Sequence, residues 1–423
     1  MWIVCITSVR HVLTVNGYGG RQTKENEKSW CFKGWETLVR HLRSLRLLLS
    51  QDKSPLGFLL AAGCPLSVRI TGASLLPDMA GLTKIINDAH ATDTPTTPYK
   101  RLIEELKKAD RDTSNLEDIL TYIRSMKEVS TGGGTVRGFT ESELNNLETE
   151  ICNTIADAVT KDLPDGDNSY RRLARWVSSI DRVVPVEIFT TNYDLLLEQA
   201  LEEQNVPFFD GFSGSRYPFF DIHSVEENEL PNYWARVWKL HGSVNWKTMS
   251  GRVYRVSKGI AGSPELIYPS KLKYDQSRKM PFLAMSDRLT SFLLKPHAVL
   301  FVCGYSFGDE HINDTIINAL KVNQSANVVA LMYGKMKKDA SGTLVAPEAV
   351  KRALERPNLS IWHDEEAVIG AQRREWSKFI DEKNEFVNFN FKKVDDRVSF
   401  GDFASFTSFL SELIGDHPDA DKK

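Results

Sequence analysis

The chain has 423 residues, 41% hydrophobic and 26% charged, with a net charge of -3. These are globular proportions, and they exclude a fibrous or intrinsically disordered chain. The near-neutral balance supplies no bulk charge to draw the chain to nucleic acid or a membrane surface, and no run approaches the ~20 apolar residues of a membrane-spanning helix.

Residues 1–13 are apolar but lack a basic leading segment and are broken by Arg10 and His11, so export is not expected. Residues 1–32 have no period and read as a loose arm. Leu38, Leu42, Leu45 and Leu49 recur at near-helical spacing and predict a helix over 36–49. Residues 57–63 form a short apolar run ending at Gly63, the pattern of a buried parallel strand entering a tight turn. A Thr/Pro linker at 93–98 precedes a helical stretch. In it Leu116, Ile119, Leu120 and Ile123 mark one amphipathic helix, and Ile151, Ile155 and Val159 another. The Gly-rich segment 130–138 between them predicts a mobile loop.

After Arg182 the texture changes. Segments 183–191, 235–240, 266–268, 298–303, 327–333 and 359–362 are short, apolar and often β-branched, separated by helical or loop segments. Such alternation predicts a parallel sheet with crossover helices. The tail from Phe386 to Ile414 is rich in Phe, and Phe403, Phe406, Leu410 and Leu413 line one helix face. Two readings stay open for it: a terminal helix packed on the core, or a docking surface for another chain. The fold class is therefore α/β, a doubly wound Rossmann-like parallel sheet with a helical insertion at about 95–180. The expected divisions are an arm and helix at 1–54, a catalytic domain at 55–335, and a C-terminal strand and helix region at 336–423 for oligomerisation or docking.

The five cysteines, Cys5, Cys31, Cys64, Cys152 and Cys303, are odd in number, far apart and include no C-x-x-C pair. That argues against a disulfide framework or a zinc ribbon and suits a reducing, cytoplasmic setting.

In doubly wound sheets ligands bind outside the carboxyl ends of the strands. Four groups stand there. Ala61, Ala62, Gly63 and Cys64 follow the first strand, with Leu76-Pro77-Asp78 beyond; a glycine there lets backbone approach a pyrophosphate. Thr190, Thr191, Asn192 and Asp194 crowd the next strand end, where Asp194 also suits a helix cap. His241, flanked by Gly242 and Ser243, follows the third. Gly304, Tyr305 and Ser306 follow a fourth, and Ser306 suits a phosphate or ribose hydroxyl. Beyond them Asp309, Glu310, His311 and Asp314 are residue types of a metal site, although a helix start capped by Asp309 is simpler.

In this order the groups resemble the sirtuin family, and more narrowly the bacterial sirtuin-like proteins of antiphage defence that cleave NAD. The resemblance spans about 55–335. Ala61-Ala62-Gly63 stands where that family has Gly-Ala-Gly, and Leu76-Pro77-Asp78 where its Pro-Asp element lies. Thr190 to Asp194 matches its Thr-x-Asn-x-Asp signature, Leu240-His241-Gly242 its His-Gly, and Gly304-Tyr305-Ser306 its Gly-x-Ser. The helical insertion and Ile267-Tyr268-Pro269 suit the bacterial branch. Two features depart from the family: Ala61 replaces a glycine, and the four zinc-binding cysteines of the deacylase sirtuins are missing.

The resemblance implies NAD as substrate, and the missing cysteines imply no zinc. It assigns Asn192 to the ribose and water, His241 to general-base work and Asp194 to support of the site. NAD contacts fall to Ala61, Ala62, Gly63, Cys64, Asp78, Thr191, Gly304, Tyr305 and Ser306. It further implies a homo-oligomer, a hexameric HerA-type translocase ATPase as partner, and phage DNA or another phage component as trigger, with no membrane involved. A DNA nuclease working with the ATPase and a non-catalytic NAD or ADP-ribose sensor are the alternatives.

Overall fold

The computed structural model describes residues 44–90, 97–256, 265–266, 280–334, 348–375 and 399–415. The arm at 1–32, the first turns of the helix expected at 36–49, Ile267-Tyr268-Pro269 and the start of the Phe-rich tail lie outside them.

The strands of the central sheet are β1 (Leu56–Leu60), β2 (Val186–Thr190), β3 (Phe208–Phe209), β4 (Ala235–Lys239), β5 (Val299–Cys303), β6 (Asn327–Leu331), β7 (Leu359–Trp362), β8 (Glu366–Ile369) and β9 (Gln372–Glu375). Their spatial order is β9-β8-β7-β6-β5-β1-β2-β4-β3. Every pairing from β3 to β7 is parallel; β8 and β9 add an antiparallel hairpin at one edge. The doubly wound α/β architecture expected from the sequence is the one observed. The inner strands are buried on both faces, which is why they read as continuous apolar runs.

Successive residues of β1 point to opposite layers. Phe58 meets Trp176 edge-on (5.7 Å) and stacks on Phe301 (5.9 Å). Leu59 faces the other layer, with Phe189, Leu289 and Phe292. Gly57 is required there, because a Cβ would lie 2.8 Å from the Phe292 ring. The Phe-rich helix Phe403–Leu413 closes the first layer: Phe406 lies 5.9 Å from Phe301, and Phe403 packs edge-on against Tyr170 at 5.4 Å. Phe403, Phe406, Phe409 and Leu410 are buried, so of the two readings of the tail these side chains fit the core-packing one.

Between β1 and β2 stand helices Met79–His90, Pro98–Lys108, Leu116–Ser130, Glu141–Val159 and Ser169–Ser179. Thr97, Asn115, Thr140 and Asn168 cap four of them, Thr140 in a reciprocal capping box with Glu143. The segment predicted as a mobile loop at 130–138 instead carries a small hairpin, Thr135–Val136 with Phe139–Thr140. Arg137 and Gly138 both take positive φ (50° and 78°), the requirement of a two-residue hairpin turn. A second, antiparallel sheet is formed by Phe212–Ser213, Phe219–Phe220, Trp246–Met249 and Arg252–Arg255.

Candidate active site

The chain leaves β1 toward β2 and leaves β5 toward β6, so the adjacent ends of β1 and β5 diverge and form the topological switch point. The two turns there touch backbone to backbone. Ala61 N donates to Cys303 O (3.0 Å) and Gly63 N to Gly304 O (2.9 Å). A Cβ on Gly63 would lie 2.7 Å from Gly304 Cα, and one on Gly304, at φ +65°, 2.5 Å from Cys64 N. Both glycines are dictated by this approach. Ala61, the position that departs from the family's glycine, is buried in the apolar layer shared with Phe189 and Tyr305. Ala62 is exposed. Cys64 donates its Sγ–H to Cys303 O (3.2 Å), and burial pushes both thiols up, so they are un-ionised packing groups.

The end of β2 is tied to this turn. Thr191 N donates to Leu60 O (3.2 Å), Asn192 N to Thr190 Oγ1 (3.0 Å), and Asn192 Nδ2 to Ala61 O (3.2 Å). The Asn192 amide is thereby anchored at the mouth of the switch point. Buried Tyr170, from the last insertion helix, faces it: burial raises its phenol, and the Asn192 side chain acts against that rise.

Asp194 is buried and its Oδ1 accepts Leu196 N (3.1 Å) at the start of helix Leu196–Glu203. The N-cap position itself is Leu195, so Asp194 stands one residue ahead of the cap expected of it and holds the first helical N–H instead. Burial pushes its carboxyl up to about 6, with Lys239 opposing. Lys239 is itself buried; its Nζ donates to the Asp194 carbonyl and to Glu198 Oε1 (2.8 Å).

His241 follows β4 and is 8% exposed. Leu240 N donates to Thr190 O (2.8 Å) and Val244 N to Tyr193 O (3.0 Å), which fixes this loop beside the Asn192 segment. His241 Nε2 lies 3.3 Å from Asp309 Oδ2. Strands β4 and β5 are separated by β2 and β1, so this contact bridges the ends of both inner strands. Asp309 caps helix Glu310–Val322, its Oδ1 accepting His311 N (3.0 Å) and Ile312 N (3.3 Å). The Tyr305 hydroxyl lies 3.0 Å from Asp309 O and 2.9 Å from Asn313 Oδ1, bracing the turn. Ser306 is exposed.

Asp78 stands apart from this cluster. It is exposed and accepts Gly81 N (2.8 Å) at the start of helix Met79–His90. It lines a cleft of about 760 Å³ with Leu66, Leu76, Pro77, Asp157 and Lys161, which neither Asn192 nor His241 lines. The acidic group considered for a metal is divided: Asp309 faces His241, while Glu310 (2.7 Å) and Asp314 (3.8 Å) pair with Arg352. Among the described residues no cluster of three metal-ligating side chains forms. The role of Asp309 beside His241 was missed in the sequence, where its position suggested a helix cap or, with Glu310, His311 and Asp314, a metal ligand.

Residues 186–359 match the SIR2-like domain family. Over that span the chain is sirtuin-like. The match takes in Asn192, Asp194, His241, Gly304 and Asp309; the sirtuin-like reading of the β1 turn and Asp78 rests on their own residues. A SIR2-like domain is compatible with NAD-related activity. No curated protein matches the chain. A solved structure, cytosolic 5'-nucleotidase IIIB bound to cytidine, is 12% identical over 70% of this chain and 78% of that one, with a TM-score of 0.24, a likeness too loose to argue from. Among the described residues no helix is long and apolar enough to cross a membrane.

Proposed function

We propose that the protein is an NAD hydrolase that cleaves the nicotinamide–ribose bond to give nicotinamide and ADP-ribose. The observation that carries this reading is the pairing of Asn192, anchored on the Ala61 carbonyl, with His241, held against Asp309, across the carboxyl ends of adjacent strands.

The chemistry asks little of an acid. Nicotinamide in NAD is cationic, and when the C1'–N1 bond breaks it leaves neutral with the bonding pair. The transition state has oxocarbenium character. Asn192 holds the ribose and the water, and His241 accepts the water proton as the oxygen bonds to C1'. The glycine turns at 63 and 304 bring backbone close to the pyrophosphate. Buried Asp194, beneath the site, supplies negative potential toward the developing cation. Water is favoured as acceptor over an acyl-lysine because the chain lacks the cysteines of a zinc module.

The resemblance, rather than the site, supports the wider setting: antiphage defence by NAD depletion, in the cytoplasm, as a homo-oligomer with a HerA-type hexameric ATPase, triggered by phage DNA or another phage component. The nuclease alternative loses ground because Asp309 and Glu310 already face His241 and Arg352.

The test is product analysis in H₂¹⁸O. Hydrolysis places one ¹⁸O in ADP-ribose and none in nicotinamide. Bound NAD with no product would favour the sensor, and metal-dependent DNA cleavage the nuclease.

A further inference from the structure

We propose that Asp309 is a positioning residue that fixes the proton of His241 on Nε2, making Nδ1 the atom that accepts the water proton. The inference deepens the hydrolase reading and rests on it for the identity of the water.

The geometry runs from the helix cap outward. Asp309 Oδ1 is committed to two backbone N–H groups, those of His311 and Ile312. Its other oxygen, Oδ2, is thereby aimed at His241 Nε2, 3.3 Å away, and Asp309 is 8% exposed. Among the described residues it is the polar partner of the imidazole. The contact is longer than a tight charge-assisted hydrogen bond; catalytic pairs commonly tighten only when substrate binds. A carboxylate accepts only, so the facing nitrogen must be the donor, and the second nitrogen keeps its lone pair. In the step itself the water O–C1' bond forms, the C1'–N1 bond breaks with its pair going to nicotinamide, and the water proton passes to Nδ1. The resulting imidazolium then lies against the Asp309 carboxylate, which stabilises it.

This arrangement makes Asp309→Asn a sharper probe than a truncation. Asn caps helices as well as Asp does. Its oxygen stays with the His311 and Ile312 N–H groups, because turning the amide would set donor against donors. The NH₂ group then occupies the place of Oδ2 and donates to Nε2. That forces the His241 proton onto Nδ1 and removes the base, with the cap and the packing kept.

The experiment uses full-length protein carrying ¹⁵N-imidazole histidine, with the His241 signal assigned by its loss in His241→Gln. Ring ¹⁵N shifts and two-bond couplings read the tautomer at a pH where the imidazole is neutral. The expected result is Nε2–H in the wild type and Nδ1–H in Asp309→Asn. Nicotinamide release by Asp309→Asn should fall by about 10²–10⁴ in kcat, the range for loss of a general base, with KM little changed. An Nδ1–H tautomer in the wild type, an unchanged tautomer in the variant, or wild-type kcat in Asp309→Asn would overturn the proposal. A wild type that releases no nicotinamide would instead remove the hydrolase reading, while the tautomer comparison would still decide the pairing.

Discussion

Asp194 should make the protein less stable as pH rises, and replacing it with Asn should reverse that loss. Its carboxyl is buried, close to Glu198, with Lys239 nearby, and is raised from 3.8 to about 6. Below the ordinary carboxylate range the residue is protonated in both folded and unfolded chains and contributes no difference. Between about 4 and about 6 the unfolded chain releases the proton first, so the folded state loses ground as pH rises. The gap between 3.8 and about 6, at ~1.4 kcal/mol for each pH unit, comes to about 3 kcal/mol. Asn keeps an oxygen for Leu196 N and carries no charge. Urea unfolding of wild type and Asp194→Asn should therefore diverge with pH. Relative to wild type, the variant gains up to roughly 3 kcal/mol between pH 4 and pH 7, with most of the change near pH 5. The same variant should release nicotinamide more slowly, since the cost at neutral pH is that of keeping a negative charge under the site. A stability difference that stays flat with pH, or that moves against the variant as pH rises, would refute this reasoning.

Lys239→Met should destabilise by about 3–5 kcal/mol, since it leaves buried Asp194 and partly buried Glu198 without their cation; urea midpoints measure it. Gly304→Ala should cost roughly 1–3 kcal/mol and abolish nicotinamide release, because a Cβ at φ +65° would press on Cys64 N at 2.5 Å; wild-type melting and turnover would contradict the close approach of the two turns. Phe406→Ala should cost about 3–5 kcal/mol by opening a cavity between Phe58, Phe301 and Phe400, read by the same melts. On acyl-lysine peptides the protein should release no acyl group; release at a rate comparable to NAD loss would contradict water as the acceptor.

Much of the sheet was legible because its inner strands are buried on both faces. Residues 56–60, 186–190, 235–239, 299–303, 327–331 and 359–362 are apolar runs whose ends fall within a few residues of those expected. What escaped notice was short or held by distant partners. Phe208–Phe209 forms only a two-residue edge strand. The β8–β9 hairpin carries Glu366 and Arg373, an ion pair across the strands that breaks the apolar pattern. The second, antiparallel sheet is assembled from pieces before and after β4 in the chain, with no local pattern to announce it. In the site, Asn192, Asp194 and His241 were found because polar residues stand directly after apolar strands. Asp309 carried only local signals, a helix cap and a run of metal-ligating residue types. Its contact with His241 depends on where β4 and β5 stand in the sheet, which no spacing in the sequence encodes.

The most direct test of the account is nicotinamide release by wild type, Asn192→Ala and His241→Ala, measured beside thermal melting. Asn192 and His241 sit in loops at the carboxyl ends of β2 and β4, so neither substitution should move the melt far. The account predicts release by the wild type and loss in both variants, about 10²–10⁴-fold for His241→Ala, with melts near that of the wild type. Wild-type release from both well-folded variants would contradict it and place the chemistry elsewhere in the molecule.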